Sequence, residues 1–326
     1  MRNIRKTILA AVAVVLLIGG LIVSATFSGA FAPRRASTVP LAQSPPVEAI
    51  PQSLILYEPA GRISLTMEHP KAVAVDTEGV VVAGEDGVHK FSFQGVARGV
   101  LATSSPATAV AVSDDGRTFV GVGDHIEVFD AEGKRVGTWP KLGERPAITS
   151  ISIGADVFVG DYGQRVIWRL SKDGKSLGQI DGRSSHGDGG LRFCPCIASL
   201  DVAADAEGNV WMADHKNWRV LQYDPDGNMN LQWGERSGRL EDFCGACNPT
   251  RLAVGLDGRV YTSEKDQVRI KVYDPNGKFI GVVAGPESFS DGAVGLDLAV
   301  DKARRVVVLD PKARAVLMFS LQSHRR

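Results

Sequence analysis

This 326-residue chain has no excess of charge: 37 Lys and Arg stand against 37 Asp and Glu. Holding a polyanion at physiological salt takes a net basic field, so the balance excludes a general nucleic-acid-binding role. Catalytic signatures are missing as well. There is no Gly-x-Ser-x-Gly elbow, no His-Glu-x-x-His helix and no Gly-x-x-x-x-Gly-Lys phosphate loop, which removes the common hydrolase, zinc-protease and nucleotidase arrangements. No catalytic or cofactor-binding residue can be named, and the reading leans away from an enzyme. Cysteine is sparse, with four residues confined to "RFCPCIAS" (192–199) and "DFCGACNPT" (242–250). Covalent haem is excluded because Asn248, not histidine, follows Cys247.

What the chain does have is apolar content, 44% against 23% charged, enough for a sizeable core. Arg2, Arg5 and Lys6 precede an uncharged run over residues 8–32. About 20 apolar residues span a bilayer, whereas a secretory h-region is ~7–15 long. Residues 1–32 therefore read as a signal-anchor that leaves the remainder extracytoplasmic, membrane-anchored in the periplasm or at the cell surface. The alternative is a signal peptide cleaved near Ala32, giving a secreted protein. Residues 33–52 carry Pro33, Pro40, Pro45, Pro46 and Pro51 without an aromatic, the composition of an extended linker.

From residue 53 onward the chain repeats. "HPKAVAVDTEGVVVAG", "SPATAVAVSDDGRTFVGV", "CIASLDVAADAEGNVWMAD", "NPTRLAVGLDGRVYTSE" and "GAVGLDLAVDKARRVVVLD" each read as apolar strand, polar turn, apolar strand, acidic or polar corner. "RPAITSISIGADVFVGD" is a looser copy. Third strands follow in "HIEVFDAEGK", "RVIWRLSKDGK", "RVLQYDPDGN" and "RIKVYDPNGK". In the last, Val268, Ile270 and Val272 alternate with Arg269, Lys271 and Tyr273, the period of two of a strand. Turns carrying Asp130 and Gly133, Asp224 and Gly227, and Asp274 and Gly277 supply hairpin chemistry. Strand, turn, strand, turn in six copies is the signature of a propeller. The last copy ends without a fourth strand, while "QSLILYEPAGRI" has strand character and no blade of its own. The expectation is an all-β, six-bladed β-propeller over 53–326 closed by an N-terminal strand.

The frame Pro-x-x-apolar-x-Val-x-x-x-Gly, the aromatic and acidic end of the second strand, and the Arg-apolar third strand ending in Asp-x-x-Gly resemble the NHL-repeat family of six-bladed β-propellers. The resemblance covers roughly residues 53–320 and is clearest over 197–285. It implies a fold rather than an activity, because one propeller frame carries many functions. "VAGEDGVHKFSF" in the first copy lacks the usual arginine, and "DPKARAV" in the last carries a proline. Some members are lyases with a central metal held by histidines. A lyase or hydrolase at the channel is thus a further alternative, for which His69 is the one residue placed to look inward.

The copies start near Pro70, Pro106, Pro146, Ser199, Pro249 and Ala293, so the third and fourth run about ten residues longer than the others. Both extensions lie between the last strand of one blade and the first of the next, and each ends in a cysteine pair. The family's geometry implies that they share a face with the loops between second and third strands. Three states suit Cys194, Cys196, Cys244 and Cys247: structural disulfides, fitting an oxidising compartment; a four-thiolate zinc or iron–sulfur centre, with His186 and Asp188 as substitutes for one sulfur; or a redox dithiol at Cys244 and Cys247, which lacks the usual helix start. The same face is expected to carry Arg165, Arg219, Arg269 and Arg314, each paired with its own blade's acidic residue. It also carries His215, Lys216, Trp218 and Lys265, a cationic and aromatic patch suited to a protein partner or a small acidic ligand. The leading expectation is a membrane-tethered propeller acting as a binding or scaffold module through this face; a metal or redox protein built on the cysteines is the alternative.

Overall fold

The computed structural model describes residues 48–182, 191 and 197–323. The segment read as anchor or signal peptide, most of the linker, and His186, Asp188, Cys194 and Cys196 lie outside them. Among the described residues no helix is long and apolar enough to cross a membrane.

The described chain forms six four-stranded antiparallel sheets. Strand β1 (Tyr57–Ser64) comes first. Blade one follows with β2 (Pro70–Val75), β3 (Gly79–Gly84), β4 (Gly87–Ser92) and β5 (Ala97–Leu101). Blade two holds β6 (Ala107–Val112), β7 (Thr118–Val122), β8 (His125–Phe129) and β9 (Arg135–Thr138). Blade three holds β10 (Ile148–Ile153), β11 (Val157–Asp161), β12 (Val166–Leu170) and β13 (Ser176–Ile180). Blade four holds β14 (Val202–Ala204), β15 (Val210–Asp214), β16 (Arg219–Tyr223) and β17 (Met229–Trp233). Blade five holds β18 (Arg251–Val254), β19 (Val260–Glu264), β20 (Arg269–Tyr273) and β21 (Phe279–Ala284). Blade six holds β22 (Asp297–Val300), β23 (Val306–Asp310) and β24 (Ala315–Leu321). Strand β1 supplies its fourth member, pairing antiparallel with β24 from Tyr57 opposite Leu321 to Ser64 opposite Ala315.

Burial within each sheet explains the sequence pattern. Second strands such as "GVVVAG", "TFVGV" and "VVVLD" are buried at every position, because both of their faces meet a neighbouring blade. That is why they read as continuous apolar runs rather than alternating ones. Outer strands are mostly exposed: in "ARGVL" of β5 only Leu101 is buried. The core is divided into six clusters, one at each seam between neighbouring blades. The seam between blades six and one joins Val307, Leu309, Val316 and Met318 to Val73, Val80 and Val82, with Ile63 of β1 among them. The innermost strands touch in the order β2, β6, β10, β14, β18, β22, and β22 touches β2 again.

The chain before β1 is held to the propeller. Glu48 donates its N–H to the Gly238 carbonyl at 2.9 Å, and its Oε2 accepts from the Leu240 N–H at 3.0 Å. Ile55 then bridges Val282 in parallel at the outer edge of blade five. The linker expected to run free therefore has its described end docked from Glu48 onward.

Deleting residues 53–64 would leave β24 with an unpaired edge and strip Ile63 from the seam between blades six and one. The expected outcome is loss of soluble, cooperatively melting protein. A deletion variant with an unchanged melting temperature would show that β1 contributes nothing to the ring.

Candidate functional site

Each innermost strand turns one edge to the central channel, where no strand is available to pair it. Side chains from the preceding blade satisfy part of that edge. Thr108 Oγ1 donates to the Ile148 carbonyl at 2.8 Å, and Thr149 Oγ1 to the Leu200 carbonyl at 2.8 Å. The Leu252 N–H donates to Asp201 Oδ2 at 2.6 Å, and the Val73 N–H to Asp297 Oδ2 at 2.7 Å. These contacts join blade two to three, three to four, four to five and six to one. They occupy equivalent places at the start of each inner strand.

Blades one to three differ from four to six at this level. Their first two strands shift register between Pro70 and Ala72, Ala107 and Ala109, and Ile148 and Ser150. The extra residues are Lys71, Thr108 and Thr149, whereas β14, β18 and β22 pair with their second strands without a shift. A bulge bends its strand and re-aims the extra side chain. The three bulges border a cavity of about 610 Å³, within the size range of small-molecule sites. Lys71, Thr108, His125, Thr149, Ala198 and Arg251 are among its lining residues. Lys71 is exposed and has no carboxylate partner among the described residues. His125 Nδ1 lies 3.0 Å from Asp124 Oδ1.

Arg251 stands between two carboxylates, with Nη1 3.2 Å from Asp201 Oδ1 and Nε 3.9 Å from Asp297 Oδ1. Burial pushes the Asp201 pKa up to about 7, opposed by Arg251 and assisted by Asp297. Burial likewise raises Asp297 against the pull of Arg251. Burial opposes the Arg251 charge, but the two carboxylates hold its pKa above the usual guanidinium value. Arg251 thus stands between two buried carboxyl groups, and Lys71 brings a second basic side chain to the cavity.

The connection from β17 to β18, which carries Cys244 and Cys247, is pinned to the loops between second and third strands of blades four and five. Trp218 Nε1 donates to the Gly245 carbonyl at 3.0 Å, and the Ala246 N–H to Asp266 Oδ2 at 3.1 Å. Asn248 Nδ2 donates to the Cys244 carbonyl at 2.6 Å, while the Lys265 N–H donates to Asn248 Oδ1 at 2.9 Å. The long loop and the second-to-third-strand loops thus share a face. Ala198 at the cavity belongs to the other long connection.

Beneath this loop lies a buried ionic node. Glu264 accepts from Arg269 Nε at 2.9 Å and from Lys271 Nζ at 2.7 Å. Lys271 Nζ also donates to the carbonyls of Asp242 at 2.5 Å and Leu240 at 3.2 Å. It sits 4.5 Å from the Phe243 ring centroid. All three charged side chains are at most 1% exposed. Burial would raise the Glu264 pKa, but Lys271 and Arg269 hold it below the usual carboxylate range. Burial lowers Lys271 to about 8 against the pull of Glu264. Removing one partner of such a buried set costs about 3–5 kcal/mol because the remaining charges are left uncompensated.

Cys244 is a free, buried thiol. Its Sγ donates to Glu264 Oε2 at 3.6 Å and accepts from Arg269 Nη2 at 3.6 Å. Burial, with Glu264 adding to it, pushes the thiol up to about 11, so it is protonated at neutral pH and is a poor nucleophile or metal ligand. Among the described residues no group of three or more His, Cys, Asp and Glu is placed to hold a metal.

The expected cationic and aromatic patch divides. Lys216 is exposed and Lys265 half-buried. Trp218, with φ of +55°, lies under the Arg236 guanidinium at 5.0 Å from its ring centroid. His215 is only 1% exposed, its Nε2 3.2 Å from the Ser199 carbonyl, and burial lowers its pKa. It contributes support for the strand start rather than surface. The pairing of arginine with its blade's acid holds for Arg219 with Asp214 and Arg269 with Glu264. Lys71, Thr108, Thr149, Asp201, Arg251 and Asp297 were not singled out from the sequence. The available signal was a polar residue recurring just after each strand start inside an otherwise apolar frame.

The described residues match solved propellers. Against the WD40 β-propeller domain of Doa1 the TM-score is 0.56 with 12% sequence identity, covering 82% of this chain and 98% of that one. At that identity the likeness is one of fold. No family model matches the sequence, and no curated protein matches it.

The raised Asp201 value has a pH consequence. The folded protein keeps that proton up to about pH 7, whereas the free carboxyl loses it near 3.8. The folded state thus binds more protons across this window, and the group's contribution to stability falls as pH rises from about 4 to 7. Asp201→Asn removes the titration. Its melting temperature should decline less than the parent's between pH 5 and 8, and parallel pH profiles for the two proteins would refute the assignment.

Proposed function

We propose that the protein is a ligand-binding module that takes an acidic ligand at the channel mouth, on the face bearing the long cysteine loops. The ligand is a small di- or tricarboxylate or a carboxylate-bearing segment of a protein partner. The observation that carries this reading is the cavity of about 610 Å³ lined by Arg251 and by Lys71, which has no carboxylate partner among the described residues. An ammonium and a guanidinium together recognise carboxylate by charge and by directed hydrogen bonds. Lys216 and Lys265 add positive charge on the same face. The NHL-type assignment of the repeats, from the frame quoted above, belongs to this reading and leaves the ligand open.

Isothermal titration of the full-length protein with citrate and with an oligoglutamate peptide tests it. Saturable binding of either probe that weakens at least about tenfold in Lys71→Ala supports the site, since a charge-assisted contact of this kind is worth ~1.5–3 kcal/mol. No binding of either probe, or binding indifferent to Lys71→Ala, overturns it.

The tether and the cysteines belong to the same proposal. Residues 1–32 anchor the propeller in the membrane with the domain extracytoplasmic, a reading supported by the basic flank and the 8–32 apolar run. Cys247 closes a disulfide with Cys194 or Cys196, a reading supported by the free, buried state of Cys244, which leaves Cys247 as the cysteine of its pair open to bridging. Carbonate-resistant membrane fractionation, with two of the four cysteines alkylated after denaturation without reductant, is the expected result. A mature chain beginning near Pro33 would replace the anchor with a signal peptide. Four alkylatable thiols with stoichiometric zinc or iron would replace the disulfide with the metal centre.

A further inference from the structure

The arginine at the cavity has more acid around it than it can neutralise. Asp201 precedes β14, Arg251 opens β18 and Asp297 opens β22, so three successive blades each put one charged group at the same level. Each carboxylate divides its oxygens between two tasks. Asp201 Oδ2 accepts from the Leu252 N–H and Asp297 Oδ2 from the Val73 N–H, while each Oδ1 faces Arg251, at 3.2 and 3.9 Å. The side chains of Asp201, Arg251 and Asp297 are 6%, 16% and 13% exposed. Arg251 Nη1 donates to Asp201 and reaches the Thr149 carbonyl at 3.5 Å, and Nη2 has no hydrogen-bond partner among the described residues. Nη2 is therefore the donor left for a carboxylate that enters the cavity.

With both acids ionised the three groups carry one net negative charge, and an arriving carboxylate would set three anions about one guanidinium. Like charges that share a poorly solvated site do not all ionise; one of them takes a proton. Lys71 offsets one of these charges, but it is exposed, where water and salt screen it. The acids on the neighbouring second strands, Asp161 of β11, Asp214 of β15, Glu264 of β19 and Asp310 of β23, are each held by hydrogen bonds or ion pairs of their own. His215 interacts electrostatically with Arg251, Asp214 and Lys265, and burial lowers its pKa, so it is neutral in alkaline solution. Asp124 and His125, also at the cavity, are bonded to each other. The proton demanded by a bound anion thus falls on Asp201 and Asp297.

We infer that binding of an acidic ligand here is proton-coupled: the carboxylate that docks on Arg251 is accompanied by one proton, taken from solution by the Asp201 and Asp297 pair, which frees the guanidinium from one of its two acids. This rests on the acidic-ligand reading of the cavity and adds its regulation. Burial already pushes Asp201 up to about 7 and raises Asp297 in the protein without ligand, and the two titrate as a unit. A bound anion raises the pair further. Above pH 7 the complex therefore holds more protons than the free protein, so binding weakens as pH rises, by at most about tenfold per pH unit. The site takes up its ligand in neutral or mildly acidic surroundings and releases it in alkaline ones.

Calorimetric titration of the full-length protein tests this, with citrate and with an N-acetylated oligoglutamate peptide as probes at pH 7.5 and 9, where the carboxyl groups of both are ionised. Affinity should fall at least about fivefold between the two pH values. Repeating the titration at pH 8 in HEPES and in Tris, whose heats of ionisation differ, counts the protons, and an uptake of about 0.5–1 per ligand is expected. Asp201→Asn places a neutral amide where the proton would go. It should take up less than about a third of the parent's protons and bind with nearly equal affinity at both pH values. His125→Gln should keep the parent's uptake, and loss of it there would move the proton to the imidazole and overturn the inference. The buffer comparison on the parent needs no variant, and decides the point if Asp201→Asn does not fold. Binding without proton uptake and with equal affinity at pH 7.5 and 9 overturns the inference and leaves the acidic-ligand reading standing, whereas failure of both probes to bind at either pH overturns both.

Discussion

Six sheets set edge-inward leave six rows of backbone N–H and C=O facing a channel that no further strand can fill. Buried backbone groups must find partners, and the way this chain supplies them organises the rest of the structure. Threonines serve where the acceptor is a carbonyl, at Thr108 and Thr149, and carboxylates serve where the donor is an N–H, at Asp201 and Asp297. Each contact crosses a seam. The same side chains that satisfy the edge therefore fix the angle between blades, and the apolar clusters at the seams pack around that angle. Placing two carboxylates at this level creates a new electrostatic demand, which Arg251 meets from the blade between them. The guanidinium that the proposed ligand site uses is there first as a structural counter-charge.

The asymmetry of the ring follows from the same constraint. Where the inner strand carries an extra residue, in blades one to three, the bulge opens the mouth and presents Lys71, Thr108 and Thr149. Where it carries none, in blades four to six, the strand start is closed by charge pairs. A cavity and a sealed arc thus arise from a one-residue difference at equivalent positions, with no change in the blade frame.

Much of this was legible in the sequence, for identifiable reasons. Second strands such as "VVVLD" are buried on both faces, so their apolar runs were visible; third strands end at Asp-x-x-Gly turns, whose chemistry is local. Six blades and the sheet membership of the segment around Tyr57 follow from such local signals. The channel level was not legible because it depends on register. Whether Thr108 is paired or bulged is decided by the strand opposite it, and Asp201, Arg251 and Asp297 lie far apart in sequence and meet only across seams. His215 misled for the converse reason. Its place in a polar loop suggests surface, yet the ring folds back under the strand start of its own blade and is buried against Ser199.

The long cysteine loop of blade five shows how one scaffold stabilises an insertion without a core of its own. Over residues 234–250 the loop has few apolar contacts beyond Phe243 and Leu240, and its backbone carbonyls at Leu240 and Asp242 turn inward, where an unpaired group costs free energy. Lys271 reaches them from β20, and a lysine buried completely needs a counter-charge, which Glu264 provides from β19. Arg269 completes the coordination of Glu264 and places its remaining donor on the Cys244 sulfur. The loop is therefore held by a charge set belonging to the blade beneath it, and Cys244 is part of that set. A thiol held between a carboxylate and a guanidinium, with its ionisation opposed by burial, serves as a packing and hydrogen-bonding group.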